Sequence, residues 1–298
     1  MGKTVTLIGG TGTIGQSVAN EFFKEGYKVK ILTRNIEKAI KKLPESYELI
    51  KGDVNEEDSI REALNESQNL HINLNSKNLN NIYDTIVNGI TRVIKLALEF
   101  NIAKITYSSS VHAVKEYEWF SLMKARSKAE SLIESSGLPY TVFKSSQTMD
   151  YLGYFVRGNR ANVISDISHK IHWFASDELA RLIVETHTSS KFANQTINII
   201  GPEALTIKEA ISAYCDTLKP GARLTEIPLS MFTSIATMSN NGELQYTAEF
   251  MKYLARANED GFDLANQENV FQLTTTLNDW CEQVKKVNAC HGNVAMAC

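Results

Sequence analysis

Thr4-Val5-Thr6-Leu7-Ile8-Gly9-Gly10-Thr11-Gly12-Thr13-Ile14-Gly15 reads as a strand that breaks on glycine and resumes as a helix. Residues 4–8 are β-branched or apolar, and Ile14, Val18, Phe22 and the adjacent Phe23 then recur at helical spacing. Between them the chain must turn sharply. A helix N-terminus that emerges from such a turn aims backbone N–H groups at an anion. Three glycines serve this geometry: one for the turn, one for close approach of the main chain to a pyrophosphate, and one for packing the helix on the strand. Gly9, Gly12 and Gly15 stand at those places, with Thr11, Thr13 and Ile14 completing the loop. A tight turn without a ligand is the alternative reading, but the flanking strand and helix favour a dinucleotide loop.

Working outward, strand-like and helical patterns alternate through the first half. Strands are expected over 27–32, 47–50, 70–74, 102–107 and 140–143, with helices over 56–64, 82–97 and 127–135. The 70–74 strand is weakly marked because asparagines surround it. Alternation of this kind predicts an α/β fold, a Rossmann-type doubly wound parallel sheet over residues 1–150. Past Asp150 the alternation fades, and aromatic and basic residues crowd into 151–160 and 169–174. A smaller α/β region on the substrate side is expected over 151–285. In it, Thr206 and Glu209 form a capping box for a helix that stops at Pro220-Gly221. Residues 286–298 read as a flexible tail.

A second nucleotide signal stands at the end of the second strand, where a carboxylate normally holds the ribose 2′-hydroxyl of the unphosphorylated cofactor. Here the residues are Leu32-Thr33-Arg34-Asn35. The Arg34 guanidinium can pair with a 2′-phosphate, so NADP(H) is expected over NAD(H), with Lys38 adding charge one turn later. A solvated arginine is the plainer alternative.

The net charge of −3 gives no electrostatic reason to expect nucleic acid or an anionic membrane as partner. Hydrophobic residues at 43% and charged residues at 22% argue against disorder. The short apolar run before Gly9 is neither a signal peptide nor a membrane span, so the cytoplasm is the expected compartment. Four cysteines, Cys215, Cys281, Cys290 and Cys298, show no paired spacing. Cys290, His291 and Cys298 lack a fourth ligand nearby, so no metal site is expected.

These residues resemble the atypical short-chain dehydrogenase/reductases and, within them, the NmrA-like group. Gly9, Gly12 and Gly15 match the family's GxxGxxG loop, and Gly52-Asp53-Val54 resembles the motif whose aspartate meets the adenine. Asn88-Gly89, Ser108-Ser109-Ser110, and Glu130 through Ser136-Gly137-Leu138-Pro139-Tyr140-Thr141 follow in order and spacing. Ser176-Asp177-Glu178-Leu179-Ala180 and Gly201-Pro202-Glu203-Ala204-Leu205-Thr206 resemble two landmarks of the C-terminal half, the second following a strand that returns to the main sheet. The resemblance implies a nicotinamide dinucleotide cofactor and leaves substrate and protein partner open.

The chain departs from the superfamily at the chemistry. Active members pair a tyrosine, as general acid or base, with a lysine four residues on. Counting back from Glu130 and Gly137 puts Leu122 at the tyrosine position and Arg126 at the lysine position. Leucine cannot transfer a proton, while arginine can still bond the ribose. Ser110 matches the serine that holds a substrate carbonyl, and His112 follows two residues later. The departure implies a nucleotide-sensing regulator or scaffold without the usual catalysis. The alternative is an NADPH-dependent reductase of a small carbonyl or unsaturated substrate that uses Ser110 and His112.

Overall fold

The computed structural model describes residues 3–259 and 271–290. They fall into two compact units. One holds the chain up to Ser145 together with Leu179–Asn198; the other holds Ser146–Glu178 and the chain from Ile199 onward. In chain order the elements begin β1 (Thr4–Ile8), α1 (Thr13–Lys24), β2 (Lys28–Thr33), α2 (Ile36–Ile40), β3 (Glu48–Lys51), α3 (Glu57–Leu64) and β4 (Asn69–Ile72). A π-helical turn, Asp84–Asn88, leads into α4 (Gly89–Glu99), then β5 (Lys104–Ser110), α5 (Ser121–Glu134) and β6 (Tyr140–Ser145). There follow β7 (Val156–Arg157), β8 (Arg160–Ile164), β9 (Ile171–Trp173), α6 (Ser176–Thr188), β10 (Gln195–Ile199) and β11 (Glu203–Leu205). The last are α7 (Ile207–Leu218), β12 (Arg223–Ile227), α8 (Leu229–Met238), α9 (Gly242–Leu254) and α10 (Leu277–Cys290).

The first unit is the Rossmann-type doubly wound sheet, in the order β10-β6-β5-β4-β1-β2-β3. The pairs from β3 through β6 are parallel. Strand order reverses between β1 and β4, the switch point at which such sheets take their ligands. The weakly marked fourth strand is real and buried throughout. Its polar residues are wired into the interior. His187 Nδ1 lies 3.0 Å from Asn69 Oδ1, Thr106 Oγ1 lies 3.0 Å from His187 Nε2, and His71 Nδ1 lies 2.9 Å from Thr106 Oγ1. An amide oxygen only accepts, so His187 donates through Nδ1 and accepts Thr106's proton at Nε2, and His71 donates to Thr106. His71 Nε2 is then a buried lone pair with no donor.

Burial holds the His71 pKa down to about 3, and that of His187 well below the usual value. Both rings therefore fold neutral, while the unfolded chain takes up protons near pH 6.5. The unfolded state binds more protons below that pH, so stability should fall as pH drops from about 6.5 toward 3. His71→Gln should flatten this loss, by up to about 1.4 kcal/mol per pH unit. Urea denaturation at pH 7 and pH 5 reads it, and equal slopes in wild type and variant would remove His71 as a cause.

Helix α5 starts at Ser121, six residues before the expected start, and so carries both Leu122 and Arg126. In the second unit, β9 pairs antiparallel with β11, while β8 lies between β7 and β12. The Thr206–Glu209 capping box is present: Glu209 N donates to Thr206 Oγ1 at 3.1 Å, and Thr206 N to Glu209 Oε2 at 2.8 Å. Helix α10 stacks Trp280 on Tyr214 of α7, with ring centroids 6.3 Å apart. It runs to Cys290, into the segment read as a flexible tail, and at its start Leu277 N donates to Glu203 Oε2 at 3.0 Å. His291 and Cys298 lie outside the described residues. Among the described residues, no group of three or more His, Cys, Asp or Glu side chains is placed to hold a metal, and no helix is long and apolar enough to cross a membrane.

Candidate functional site

The loop from β1 into α1 uses its glycines in different ways. Gly9 has φ +89°, and a Cβ there would lie 2.1 Å from Asn73 O. A Cβ on Gly15 would lie 2.2 Å from Gly9 O and 2.8 Å from Gly10 Cα. These two positions must be glycine for the chain to close. Gly12 differs: it is exposed, and a Cβ there would meet only Gly9 O, at an ordinary 3.4 Å. No side chain caps the first turn of α1 at Gly12, and that turn carries no acidic residue. Thr11 and Thr13 are half-buried beside it, and Ile14 is in the core. The turn therefore presents main-chain donors and the positive end of the helix dipole across a surface with no Cβ.

Parallel pairing of β2 with β3 brings Arg34 and Asp53 together. Gly52 N donates to Thr33 O at 3.0 Å, and Arg34 Nε lies 3.9 Å from Asp53 Oδ2. An acid thus faces Arg34 after all, supplied by the neighbouring strand. The Arg34 side chain is 76% exposed, so this pair is worth little and leaves the guanidinium open. Asp53 Oδ1 accepts the Asn55 N–H at 2.9 Å, which shapes the turn before α3. Val54 is buried against Gly89, where a Cβ would come 2.9 Å from its methyl carbon.

At the end of β5, alternate residues serve opposite faces. Thr106 faces α6, whereas Tyr107 and Ser109 face α5. The Ser109 hydroxyl donates to Glu130, and Lys144 Nζ donates to the other Glu130 oxygen at 2.9 Å and to Ala113 O at 2.9 Å. Burial pushes the Glu130 carboxyl above its usual range, and Lys144 pulls it back. Arg126 lies on the same helix. Its Nε is buried with no hydrogen-bond partner, as is the Ser108 hydroxyl. The Tyr107 hydroxyl has no partner of ordinary geometry either; burial raises its pKa, with Arg126 the leading opposing influence. Ser110 Oγ accepts the His112 N–H at 3.3 Å. His112 is only 2% exposed, and its ring stands edge-on to Tyr117 at 4.9 Å and 82°. Leu122 is a core residue.

The second unit holds a cluster that sequence reading did not find. Ser146 donates to Glu259 Oε1; His172 N lies 2.7 Å and His172 Nδ1 3.0 Å from Glu259 Oε2. Residues 87 positions apart carry no common local signal.

The signature of the NmrA-like family matches residues 1–281. The chain belongs to the NmrA-like family. Its fold is the NAD(P)-binding Rossmann fold. Among relatives, this NmrA-like chain is 25% identical over 234 residues to the photosystem II assembly factor Ycf39 of Cyanophora paradoxa, covering 76% of the chain and 72% of that protein. Among solved structures, it superposes on the triphenylmethane reductase of Citrobacter sp., complexed with NADP(H), with a TM-score of 0.72 at 17% identity, over 94% of this chain and 99% of that one. The NADPH-dependent quinone oxidoreductase QOR2 of Escherichia coli, complexed with NADPH, gives 0.72 at 16% identity with the same coverage.

These matches correct the expectation of a regulator or scaffold without chemistry. Solved structures that share this fold over nearly the whole chain are enzymes by name, reductases, an oxidoreductase and epimerases among them. The hydride chemistry belongs to the cofactor, and the proton can come from any well-placed acid. Leu122 and Arg126 are therefore not grounds for a silent site.

Proposed function

We propose that the chain is a reductase that transfers hydride from NADPH, in preference to NADH, to a small carbonyl or unsaturated substrate. The carrying observation is the glycine loop, whose Gly12 is held to glycine by no contact within the protein and so leaves the first turn of α1 open to a pyrophosphate. In this reading Thr11, Thr13, Ile14 and Gly15 surround the phosphates, Asp53 and Val54 border the adenine, and Arg126 turns its unpartnered Nε toward the ribose. Ser110 orients the substrate oxygen, and His112 shapes the turn that carries it through its N–H to Ser110 Oγ. The buried thiols of Cys215 and Cys281, neither in a disulfide, fit a reducing compartment such as the cytoplasm. NADPH oxidation followed over a panel of aldehydes, ketones and quinones, with product identification, tests the activity. An NADPH turnover indistinguishable from the protein-free rate across the panel overturns it.

Cofactor preference rests on Arg34. Replacing it with alanine removes a charge-assisted hydrogen bond to the 2′-phosphate, typically about 1.5–3 kcal/mol. Arg34→Ala should therefore weaken NADPH about 10- to 100-fold while barely touching NADH. Calorimetric titration of both cofactors decides it; equal losses for the two would take the 2′-phosphate away from Arg34.

A further inference from the structure

Arg34 and Asp53 are each held from both sides, so their meeting is built into the backbone. Thr33, before Arg34, pairs in register with Lys51 and accepts the Gly52 N–H at 3.0 Å. Asn35, after it, donates its N–H to Thr33 Oγ1 at 3.3 Å and caps α2 by accepting the Lys38 N–H at 2.8 Å. On the neighbouring strand Gly52 is pressed against α3: a Cβ there would lie 2.2 Å from Ser59 Cβ. Asp53 follows directly. Its Oδ1 accepts the Asn55 N–H at 2.9 Å, and its carbonyl accepts the Glu56 N–H at 3.0 Å. One carboxylate oxygen is thereby committed to the turn, and the other, Oδ2, faces Arg34 at 3.9 Å.

At that distance the two charges attract without sharing a hydrogen bond. The closest nitrogen is Nε, so the terminal nitrogens of the exposed guanidinium stay open to an incoming anion. Among the described residues, Asp53 is the acid within ion-pair reach of Arg34. A 2′-phosphate bound by Arg34 therefore brings up to two negative charges toward a carboxylate that already faces the same cation. A 2′-hydroxyl brings none. In the arrangement suited to the unphosphorylated cofactor, the acid stands at the end of the second strand. Here the arginine takes that place and the acid comes from one strand over, so the site carries both determinants at once.

We propose that Asp53 is a specificity-determining residue of the cofactor site: it shares Arg34 with the 2′-phosphate and opposes that phosphate, which holds down the preference for NADPH over NADH. The inference rests on the assignment of the 2′-phosphate to Arg34. Adenine and pyrophosphate are common to both cofactors, so any contact Asp53 makes with them cancels from the ratio of the two affinities. Like-charge repulsion of the 2′-phosphate does not cancel.

The test uses the full chain and reads the dissociation constants of NADPH and NADH by calorimetric titration for wild type, Asp53→Asn, Asp53→Ser and Arg34→Ala. Asparagine and serine both keep an acceptor for the Asn55 N–H, so the turn before α3 is retained without the charge. At about 0.01 M salt both substitutions should raise the NADH-to-NADPH ratio of dissociation constants about 2- to 5-fold, the size expected of an exposed charge pair. Near 1 M salt, where the Debye length is about 3 Å, the difference from wild type should vanish. A role in the turn or at the adenine alone would change both affinities together and leave the ratio, and its salt dependence, as in wild type. That result, with Arg34→Ala still losing NADPH selectively, overturns this inference alone. Equal losses of both cofactors in Arg34→Ala overturn the 2′-phosphate assignment together with it.

Discussion

Gly12→Val is expected to leave a folded protein that has lost NADPH and NADH alike. The added Cβ meets only Gly9 O at 3.4 Å, so the loop accepts it without moving. What the side chain occupies instead is the surface through which the first turn of α1 would reach a pyrophosphate. Loss of two charge-assisted hydrogen bonds costs about 3–6 kcal/mol, at roughly 1.5–3 each. That corresponds to about 10²- to 10⁴-fold in affinity. Gly9→Ala and Gly15→Ala are the contrasting variants. Their methyl groups would collide with Asn73 O and Gly9 O, and Gly9 is also left-handed at φ +89°. Those two should lose stability before they lose a ligand. Calorimetric titration beside thermal denaturation separates the cases. A stable Gly12→Val protein with native affinity would reduce the loop to a turn.

Lys144→Ala should strongly destabilise the first unit. Lys144 and Glu130 are 13% and 10% exposed, and the lysine also holds Ala113 O, in the loop that follows Ser110. Removing the cation leaves a buried carboxylate with the Ser109 hydroxyl as its remaining donor. Uncompensated buried charges of this kind cost about 3–5 kcal/mol, a large part of the roughly 5–15 kcal/mol that holds a domain folded. The pH dependence follows in sign. Burial already raises the Glu130 pKa, and loss of Lys144 raises it further. A carboxyl whose folded pKa lies above its unfolded value loses stability as pH rises through the folded value. The deficit of Lys144→Ala relative to wild type should therefore be larger at pH 8 than at pH 5, because a protonated carboxyl no longer needs the cation. Urea denaturation at both pH values reads this. A pH-independent deficit below about 1 kcal/mol would place the pair with ordinary surface ion pairs.

Locally encoded features were legible in the sequence. The strand, glycine loop and helix of residues 4–24 are set within one stretch, as is the Thr206–Glu209 cap, where each group bonds a neighbour three residues away. The start of α5 was not legible, because Phe120 at its N-cap offers no side-chain acceptor and the helix opens without an acidic residue. The fourth strand looked weak for a related reason: Asn69 and His71 are polar, and their partners Thr106 and His187 lie on β5 and α6.

The sequence by itself thus determined the βαβ dinucleotide loop, the doubly wound class and the family resemblance, since these rest on propensity, periodicity and spacing over a few residues. Only the tertiary structure decided which polar groups meet. Sheet pairing set Asp53 beside Arg34, β5 and α5 together enclosed Tyr107 with Arg126 and Glu130, and chain closure in the second unit put Glu259 on His172 across 87 residues. Buried hydrogen bonds of that reach depend on which surfaces the folded chain brings into contact, and no local pattern of residues specifies this.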